Sequence, residues 1–219
     1  MIKRGKFIVI EGIDGAGTTT QATLLATRLQ ELGVLARLTA EPSTGPVGSM
    51  IRQILDKRLS LLRRSPPVDS PRELNQEALA LLFAGDRLDH IESLILPSLE
   101  NGTHVICDRY SPSTYAYQGM DVKDQQWLEN IDQQSFVPDV IIYLKITAQE
   151  ALARVLNRGG EISVFEKETF LTGVVSRYNT YIEAEEKLGA TKVLTVNATL
   201  APEVLAEMIW HDCREILTQ

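Results

Sequence analysis

The chain has 219 residues, which is enough for one α/β domain with a buried core. Its apolar content of 44% and charged content of 23% are those of a folded globular protein and argue against disorder. The formal net charge of −7 disfavours nucleic acid as a partner, because an acidic chain repels a polyphosphate backbone. Arginines that converge locally can still bind a small anion.

The amino-terminal segment and the two cysteines bear on location. The apolar run at 7–10 follows basic residues but is too short for a signal peptide or a membrane span. Cys107 and Cys213 lie far apart and form no C-x-x-C pair, which favours reduced core thiols over a disulfide or a metal site. We therefore expect a cytoplasmic protein without membrane association.

Short apolar runs along the chain predict five strands. The first run, FIVI, is β-branched and leads into a glycine turn at Gly12, as a buried parallel strand does. The predicted strands cover residues 7–10, 34–40, 103–108, 139–146 and 192–196.

Apolar residues recur at helical spacing between these strands. Gly33 and Pro97 are the expected ends of two of the helices. The proline-rich segment 63–72 predicts a loop. The main predicted helices cover residues 19–32, 47–62, 73–96 and 202–217.

This alternation of strands and helices predicts a single α/β domain over residues 1–219, with a five-stranded parallel sheet covered by helices on both faces. Ligands of such sheets bind beyond the carboxyl ends of the strands. The segments to inspect for function are therefore 11–20, 40–45, 107–118 and 145–146.

The first of these segments, EGIDGAGTTTQ, contains the spacing Gly-x-x-x-x-Gly between a predicted strand and a predicted helix. Glycines allow close backbone approach, and the N–H groups and helix amino terminus attract phosphate. Thr19 occupies the position whose hydroxyl normally reaches Mg²⁺, but Thr18 stands where a phosphate-binding loop has lysine. An ordinary glycine-rich turn is the alternative interpretation.

The segment after the third strand, CDRYSPSTYAYQG, supplies further candidates. Asp108 is placed to hold a metal-bound water, and Arg109 can grip a phosphate with two hydrogen bonds. Tyr115, Tyr117 and Gln118 are suited to shaping a pocket for a sugar or a base. Taken alone, the same residues also fit a loop with an aspartate helix cap and a surface arginine.

Phe83 and Arg87, in the segment LLFAGDRLDHI, lie four residues apart on one predicted helix face. An aromatic ring can stack on a base while an arginine one turn away donates to a carbonyl of that base. A core phenylalanine with a solvated arginine is the alternative interpretation.

Several motifs occur in one order along the chain: FIVIEGIDGAG-TTTQ, EP (41–42), IRQIL, LLFAGDR, DRYSPSTYAYQG, PDVIIYL and ALARVLNRGG…FE. Taken together, they make the chain similar to the thymidylate kinase family. The resemblance extends from Phe7 to about Tyr178. It implies a P-loop kinase fold, ATP as phosphoryl donor, Mg²⁺, dTMP as acceptor and a homodimer. The expectation of no nucleic-acid partner rests on the net charge and not on this resemblance.

The resemblance also implies roles for individual positions. Thr19 and Asp108 would hold Mg²⁺, and a lid at about 154–166 would bring Arg154 and Arg158 over the transferred phosphoryl group. The ATP phosphates would be held by the loop residues Gly12, Ile13, Asp14, Gly15, Ala16, Gly17, Thr18, Thr19 and Thr20.

For the acceptor, the resemblance implies that Phe83 stacks on thymine, that Arg87 reaches its carbonyl, and that Arg52 and Arg109 bind the phosphate. The full set of implied acceptor residues is Asp14, Glu41, Pro42, Arg52, Phe83, Arg87, Arg109, Ser113, Thr114, Tyr117, Gln118 and Tyr178.

Four departures from the family pattern stand out. The loop lysine is Thr18, REPG reads AEPS with Ala40 and Ser43, the usual DR before the lid FE reads Ser163-Val164, and YLD reads YLK with Lys145. Phosphoryl transfer depends on neutralising spread negative charge, so either another cation replaces the missing lysine or the protein binds nucleotide without catalysis.

Lys145 is our candidate for this replacement, because it ends a strand predicted to lie beside the first one. A surface lysine, or one paired with Glu11 or Asp14, is the alternative, and Arg154 and Arg158 are a second source of charge. Three functions stay open at this point: phosphorylation of dTMP, phosphorylation of another nucleoside monophosphate, and nucleotide binding without catalysis.

Overall fold

The computed structural model of the protein describes residues 3–59, 61, 74–157 and 164–218, and only the backbone of 164–167. Its five strands form one all-parallel sheet in the order β2-β3-β1-β4-β5. The strands are β1 (Phe7–Glu11), β2 (Ala36–Ala40), β3 (His104–Asp108), β4 (Val140–Lys145) and β5 (Lys192–Asn197). The predicted strands and their parallel arrangement are confirmed.

Helices surround the sheet in the described part of the chain. They are α1 (Thr18–Glu31), α2 (Pro46–Leu55), α3 (Gln76–His90), α4 (Leu96–Glu100), α5 (Ser111–Tyr117), α6 (Gln125–Asp132), α7 (Ala148–Leu156), α8 (Val164–Leu188) and α9 (Pro202–Leu217). No helix among the described residues is long and apolar enough to cross a bilayer.

The core follows from the apolar runs of the central strands. Every residue of β1 is buried, as are the first five residues of β4, because helices cover both sides of these strands. Cys107 and Cys213 are free thiols within this core, as predicted.

Two predicted helices, those over 47–62 and 73–96, end at positions other than the predicted ones. The helix predicted over 47–62 ends at Leu55, because Lys57 adopts a left-handed conformation with φ of 59°. The N–H groups of Lys57 and Arg58 then donate to the carbonyls of Ile54 and Gln53, which closes the helix end. The predicted loop at 63–72 lies outside the described residues.

The prediction that Pro97 closes the long helix is wrong. After α3 the chain forms a π-helical turn, Ile91–Ile95, and Pro97 then lies in the first turn of α4, where a missing N–H costs no regular hydrogen bond. The helix α4 ends at Glu100, Asn101 caps it, and Gly102 follows with φ of 75°.

The register places the functional segments together. Ile10 of β1 and Ala40 of β2 both pair with Asp108 of β3, and Glu11 pairs with Tyr143 of β4. The segments that follow these strands therefore emerge at one edge of the sheet, where ligands of parallel sheets bind.

Candidate active site at the carboxyl edge of the sheet

The glycine loop, residues 12–20, links β1 to α1. Gly15 and Gly17 have φ of 91° and 100°, which residues other than glycine rarely adopt. A Cβ on Gly15 would also lie 2.4 Å from the Ala151 carbonyl oxygen of α7. Gly17 caps α1 without a side-chain hydrogen bond, so the first N–H groups of α1 remain open to an anion.

Thr18 begins α1 and is only 5% exposed. Arg154 of α7 is a basic group that lies against the carbonyl oxygens of the glycine loop near Thr18. Its guanidinium lies 3.4 Å from the Gly15 carbonyl oxygen and 3.5 Å from that of Ala16, and it donates to Ala198 at 2.7 Å. Arg158 lies outside the described residues, as do lid residues 159–163, and only the backbone of lid residues 164–166 is described.

Thr19 and Asp108 meet beside the loop, where the hydroxyl donates to Oδ2 of the carboxylate. The other oxygen, Asp108 Oδ1, is buried and has no hydrogen-bond partner within the described residues. Oxygen ligands of this kind are those that Mg²⁺ prefers, directly or through water, so these residues fit the predicted metal.

Lys145 is not brought to the glycine loop. β4 does lie beside β1, but strand alternation puts Lys145 on the same face as Tyr143, whose ring stacks on Tyr178 of α8. Gly12 packs instead against the intervening Leu144. Lys145 lines a separate cavity of about 470 Å³ with residues that include Thr147, Glu150 and Asn197. The structure gives no support to Lys145 as the replacement cation.

A cavity of about 300 Å³ opens beside the glycine loop. It is called the main cavity because most of the implied acceptor residues line it, and not for its size. Nine of the implied acceptor residues line it, together with Leu55, Asp108 and Tyr110. The nine are Asp14, Glu41, Pro42, Phe83, Arg109, Ser113, Thr114, Tyr117 and Gln118. Arg52, Arg87 and Tyr178 do not line it.

Arg109 connects the main cavity to the loop. Its backbone has φ of 70°, and its guanidinium donates to Asp14 Oδ1 at 2.7 Å and to the Gly12 carbonyl at 2.8 Å. The ring of Tyr117 lies 5.4 Å from the guanidinium carbon, and the Tyr117 hydroxyl accepts from the Asp14 N–H at 2.9 Å. A phosphate in the main cavity would therefore meet an arginine that is already oriented.

Arg52 lines an adjoining groove of about 430 Å³ along the edge strand β2. Pro42 and Asp108 line both this groove and the main cavity, and Thr19 also lines the groove. Arg52 donates to the Pro42 carbonyl at 2.6 Å. It therefore stands at the boundary between the main cavity and the metal-binding candidates.

Arg87 is 1% exposed and lies behind the wall of the main cavity. It donates to Glu41 at 3.0 Å, to Thr114 at 2.8 Å, and to Asp132. Burial alone lowers the pKa of Arg87, but the carboxylates of Glu41 and Asp132 outweigh it and raise the pKa above its ordinary value. The structure thus gives Arg87 a buried ion-pair role, and its contact with a base remains a prediction.

Sequence reasoning missed Glu11 as a member of the site. Its fully buried carboxylate accepts from the Tyr110 N–H at 2.7 Å, from Ser113 at 2.7 Å and from Tyr178 at 2.9 Å. Tyr178 is therefore held behind the main cavity by Glu11. Burial raises the pKa of Glu11 to about 7, although Arg109 and the hydrogen bonds oppose the shift. A charged residue that ends a wholly apolar strand was the available signal.

Ser43, one of the departures from the family pattern, has a local partner. Its hydroxyl and its N–H each donate to the fully buried carboxylate of Asp86 at 2.6 Å. Nothing in the structure explains Ala40. Ser163 lies outside the described residues, and only the backbone of Val164 is described.

The five-stranded parallel sheet, the glycine loop at its carboxyl edge and the cleft beside that loop define a P-loop kinase fold. The thymidylate kinase family model matches residues 10–209, and the chain belongs to this family.

Curated relatives agree over most of the chain. A probable thymidylate kinase of Pyrococcus horikoshii is 38% identical over 197 residues, which is 90% of this chain and 91% of the relative. One from Pyrococcus abyssi is 39% identical over 206 residues, 94% of each chain. A thymidylate kinase of Thermomicrobium roseum is 34% identical over 215 residues, 96% of this chain and 95% of the relative.

Proposed function

We propose that this protein transfers the γ-phosphoryl group of ATP to dTMP, which yields dTDP and ADP. The observation that carries the proposal is the pair Arg109–Asp14, since it joins the glycine loop to the main cavity and so puts two anion sites side by side. Membership of the thymidylate kinase family supports the choice of dTMP.

On the acceptor side, the main cavity would take the nucleoside. Phe83 would stack on thymine, and Thr114 and Gln118 would offer hydrogen bonds to its edge. Arg109 would bind the phosphate, with Arg52 reaching it from the adjoining groove. Glu41, Pro42, Ser113 and Tyr117 would complete the walls of the cavity, and Arg87 and Tyr178 would support them from behind.

On the donor side, the glycine loop would hold the ATP phosphates through backbone N–H groups. Thr19 and Asp108 would hold Mg²⁺, which when bound supplies charge neutralisation to the polyphosphate. Arg154 is the described residue best placed to add positive charge near the loop, and Lys145 is kept only as a prediction to be tested.

The transfer step follows from this placement. A phosphate oxygen of dTMP attacks the γ-phosphorus in line, the bond from that phosphorus to the β,γ-bridging oxygen breaks, and ADP leaves with the bond's electron pair. No covalent intermediate with the protein forms. Arg109 and Arg52 align the attacking phosphate, and the loop fixes the leaving group.

The experiment is ADP formation from ATP and Mg²⁺ with dTMP, compared with dUMP, dCMP and dGMP. We expect dTMP to support the highest kcat/KM. A different preferred monophosphate would reassign the acceptor. Binding of dTMP by calorimetry with no ADP at any ATP concentration would show a nucleotide-binding module without catalysis. The matched control is Arg28→Ala, because Arg28 pairs with Glu207 far from the cleft.

We also infer a homodimer, as the family resemblance implies. Leu81 and Leu88 lie two turns apart on α3 and are exposed, which would suit a self-complementary apolar contact. Sedimentation of the purified chain, compared with Leu81→Glu, tests this inference. A monomer at all concentrations would contradict it.

A further inference from the structure

Glu11 is a carboxylate in a place that needs explanation. It ends the fully buried strand β1, directly before the glycine loop, and no solvent reaches it. Burying a carboxylate is unfavourable unless its oxygens receive hydrogen bonds. Three donors meet this need: the Tyr110 N–H on Oε1, and the Ser113 and Tyr178 hydroxyls on Oε2.

The Ser113 and Tyr178 hydroxyls that donate hydrogen bonds to Glu11 also contact Arg109. Its guanidinium nitrogen Nη1 lies 3.3 Å from Ser113 Oγ and 3.4 Å from Tyr178 Oη, and these two oxygens lie 2.8 Å apart. The same nitrogen donates to Gly12, so the arginine is held between the loop and the Glu11 network. The carboxylate itself makes no described hydrogen bond to Arg109 and can act on it only through these groups and through charge.

We propose that Glu11 is a positioning residue for phosphate capture, which orients Arg109 through the Ser113 and Tyr178 hydroxyls. This inference rests on the proposed function, and it adds a residue that the resemblance did not supply. The charge of Glu11 also compensates Arg109 from the buried side, while Asp14 pairs with it from the exposed side. Together the two carboxylates hold the guanidinium in one orientation before the phosphate arrives.

The carboxylate form is what the network requires. A glutamine of the same shape offers one acceptor oxygen and an NH₂ group, so it cannot accept from all three donors. It also removes the negative charge behind Arg109. An aspartate keeps the charge but is one methylene shorter, so it withdraws the oxygens from the two hydroxyls.

The surroundings make this carboxylate sensitive to pH near neutrality, where its pKa of about 7 lies. The ionisable groups that face it are Cys107 in β3, Arg109 and Tyr110 after β3, Tyr143 in β4, and Tyr178 and Tyr181 in α8. Burial raises the pKa of the cysteine and of each of these tyrosines, so all are neutral near pH 7. Arg109 is the charged group in this set. Protonation of Glu11 as pH falls therefore removes its charge and should weaken phosphate capture.

The experiment measures kcat/KM for dTMP and for ATP in Glu11→Gln, Glu11→Asp and the wild-type chain, from about pH 5.5 to 9. The wild type should lose kcat/KM for dTMP as pH falls through about 7. Glu11→Gln should lower that constant about tenfold or more at pH 8, and its acidic decline should move down to the pH at which the dTMP phosphate itself takes up a proton, about 6. The KM for ATP should change by less than about threefold. Glu11→Asp should recover part of the pH dependence.

Asp139→Asn is the matched control. Asp139 accepts from the Phe7 N–H at 2.8 Å at the other end of β1 and pairs with Arg4 and Lys6, so its loss should reduce stability but leave the acidic decline in place. Tyr178→Phe gives a second readout that does not depend on Glu11→Gln folding. It removes one hydrogen bond that lowers the pKa of Glu11, so the acidic decline should move to higher pH.

An unchanged acidic decline in both Glu11→Gln and Tyr178→Phe would overturn the proposal. Absence of ADP formation in the wild type at every pH would instead overturn the proposed function. In that case the same variants are compared by calorimetric binding of dTMP, where pH-independent binding by the wild type would overturn the role of Glu11.

Discussion

The main cavity is lined by charged and aromatic side chains from several separate segments, whereas the glycine loop presents mostly backbone. Around the main cavity, Arg109 is fixed by Asp14 and Gly12, and Arg87 supports Thr114 from behind. At the loop, Thr18 replaces the expected lysine, and the hydrogen bonds of Arg154 to the described residues go to backbone carbonyls. The acceptor half of the cleft is thus oriented before ligand binds, while the donor half carries less fixed positive charge.

The difference in fixed positive charge between the two halves indicates where side-chain substitutions should reduce activity most. Charge fixed by a buried network acts on the transition state without further reorganisation. Backbone N–H groups at a helix amino terminus bind phosphate regardless of which side chain follows the last glycine. A missing loop lysine should therefore weaken donor binding only moderately, whereas a missing acceptor arginine should lower the rate of transfer much more.

The largest expected effect is that of Arg109→Ala. We expect kcat/KM for dTMP to fall by about 10³-fold or more, as for arginines that stabilise phosphoryl transfer elsewhere. Steady-state ADP release measures it, with Arg28→Ala as the control that should change little. A fall of less than about tenfold would remove Arg109 from the transfer site and reduce the contrast between the two halves.

Phe83→Ala should have the next largest effect. The ring lines the main cavity, and stacking on a base contributes about 1–3 kcal/mol, so KM for dTMP should rise about 10- to 100-fold. Phe83→Tyr keeps the flat ring and should preserve KM, whereas Phe83→Leu keeps only the apolar volume and should not. If the leucine variant binds dTMP as well as wild type, Phe83 acts by packing alone.

Thr18→Lys tests the donor half directly. Restoring a cation at the loop should lower KM for ATP by about tenfold, because the added ammonium meets phosphate in a site of reduced dielectric. Thr27→Lys adds the same charge on the exposed side of α1 and is the control. If Thr18→Lys leaves KM for ATP unchanged, the donor half already has the charge it needs.

Lys145→Ala should have the smallest effect, a change in turnover of less than about threefold, because Lys145 lines a different cavity from the loop. Arg154→Ala, in the same assay, should reduce kcat/KM for ATP more strongly. A tenfold fall in Lys145→Ala, equal to about 1.4 kcal/mol, would restore lysine 145 as the replacement cation.

The fold could be predicted because the signals for it are local. Continuous apolar runs marked β1 and β4, and glycines marked the end of α1 and the loop before it. The failures came where backbone geometry departs from residue preference. Lys57 adopts a left-handed conformation that the sequence does not signal, and the π-helical turn before Pro97 allows the helix to continue.

The candidate site was only partly predictable, for a different reason. Residues that follow parallel strands, such as Asp14 and Arg109, could be assigned to one edge from topology. The direction of a side chain at that edge depends on strand alternation and on distant partners. Lys145 therefore faces α8, and Arg87 turns toward Glu41 and Asp132.

The most direct test of this account follows the γ-phosphoryl group itself. Wild-type protein, with Thr18 in place, is mixed with ATP labelled in the γ-phosphate, Mg²⁺ and dTMP under single-turnover conditions. We predict that the label appears in dTDP, at a rate that depends on dTMP concentration. Release of the label as inorganic phosphate, or its retention in ATP while dTMP is bound, would contradict it.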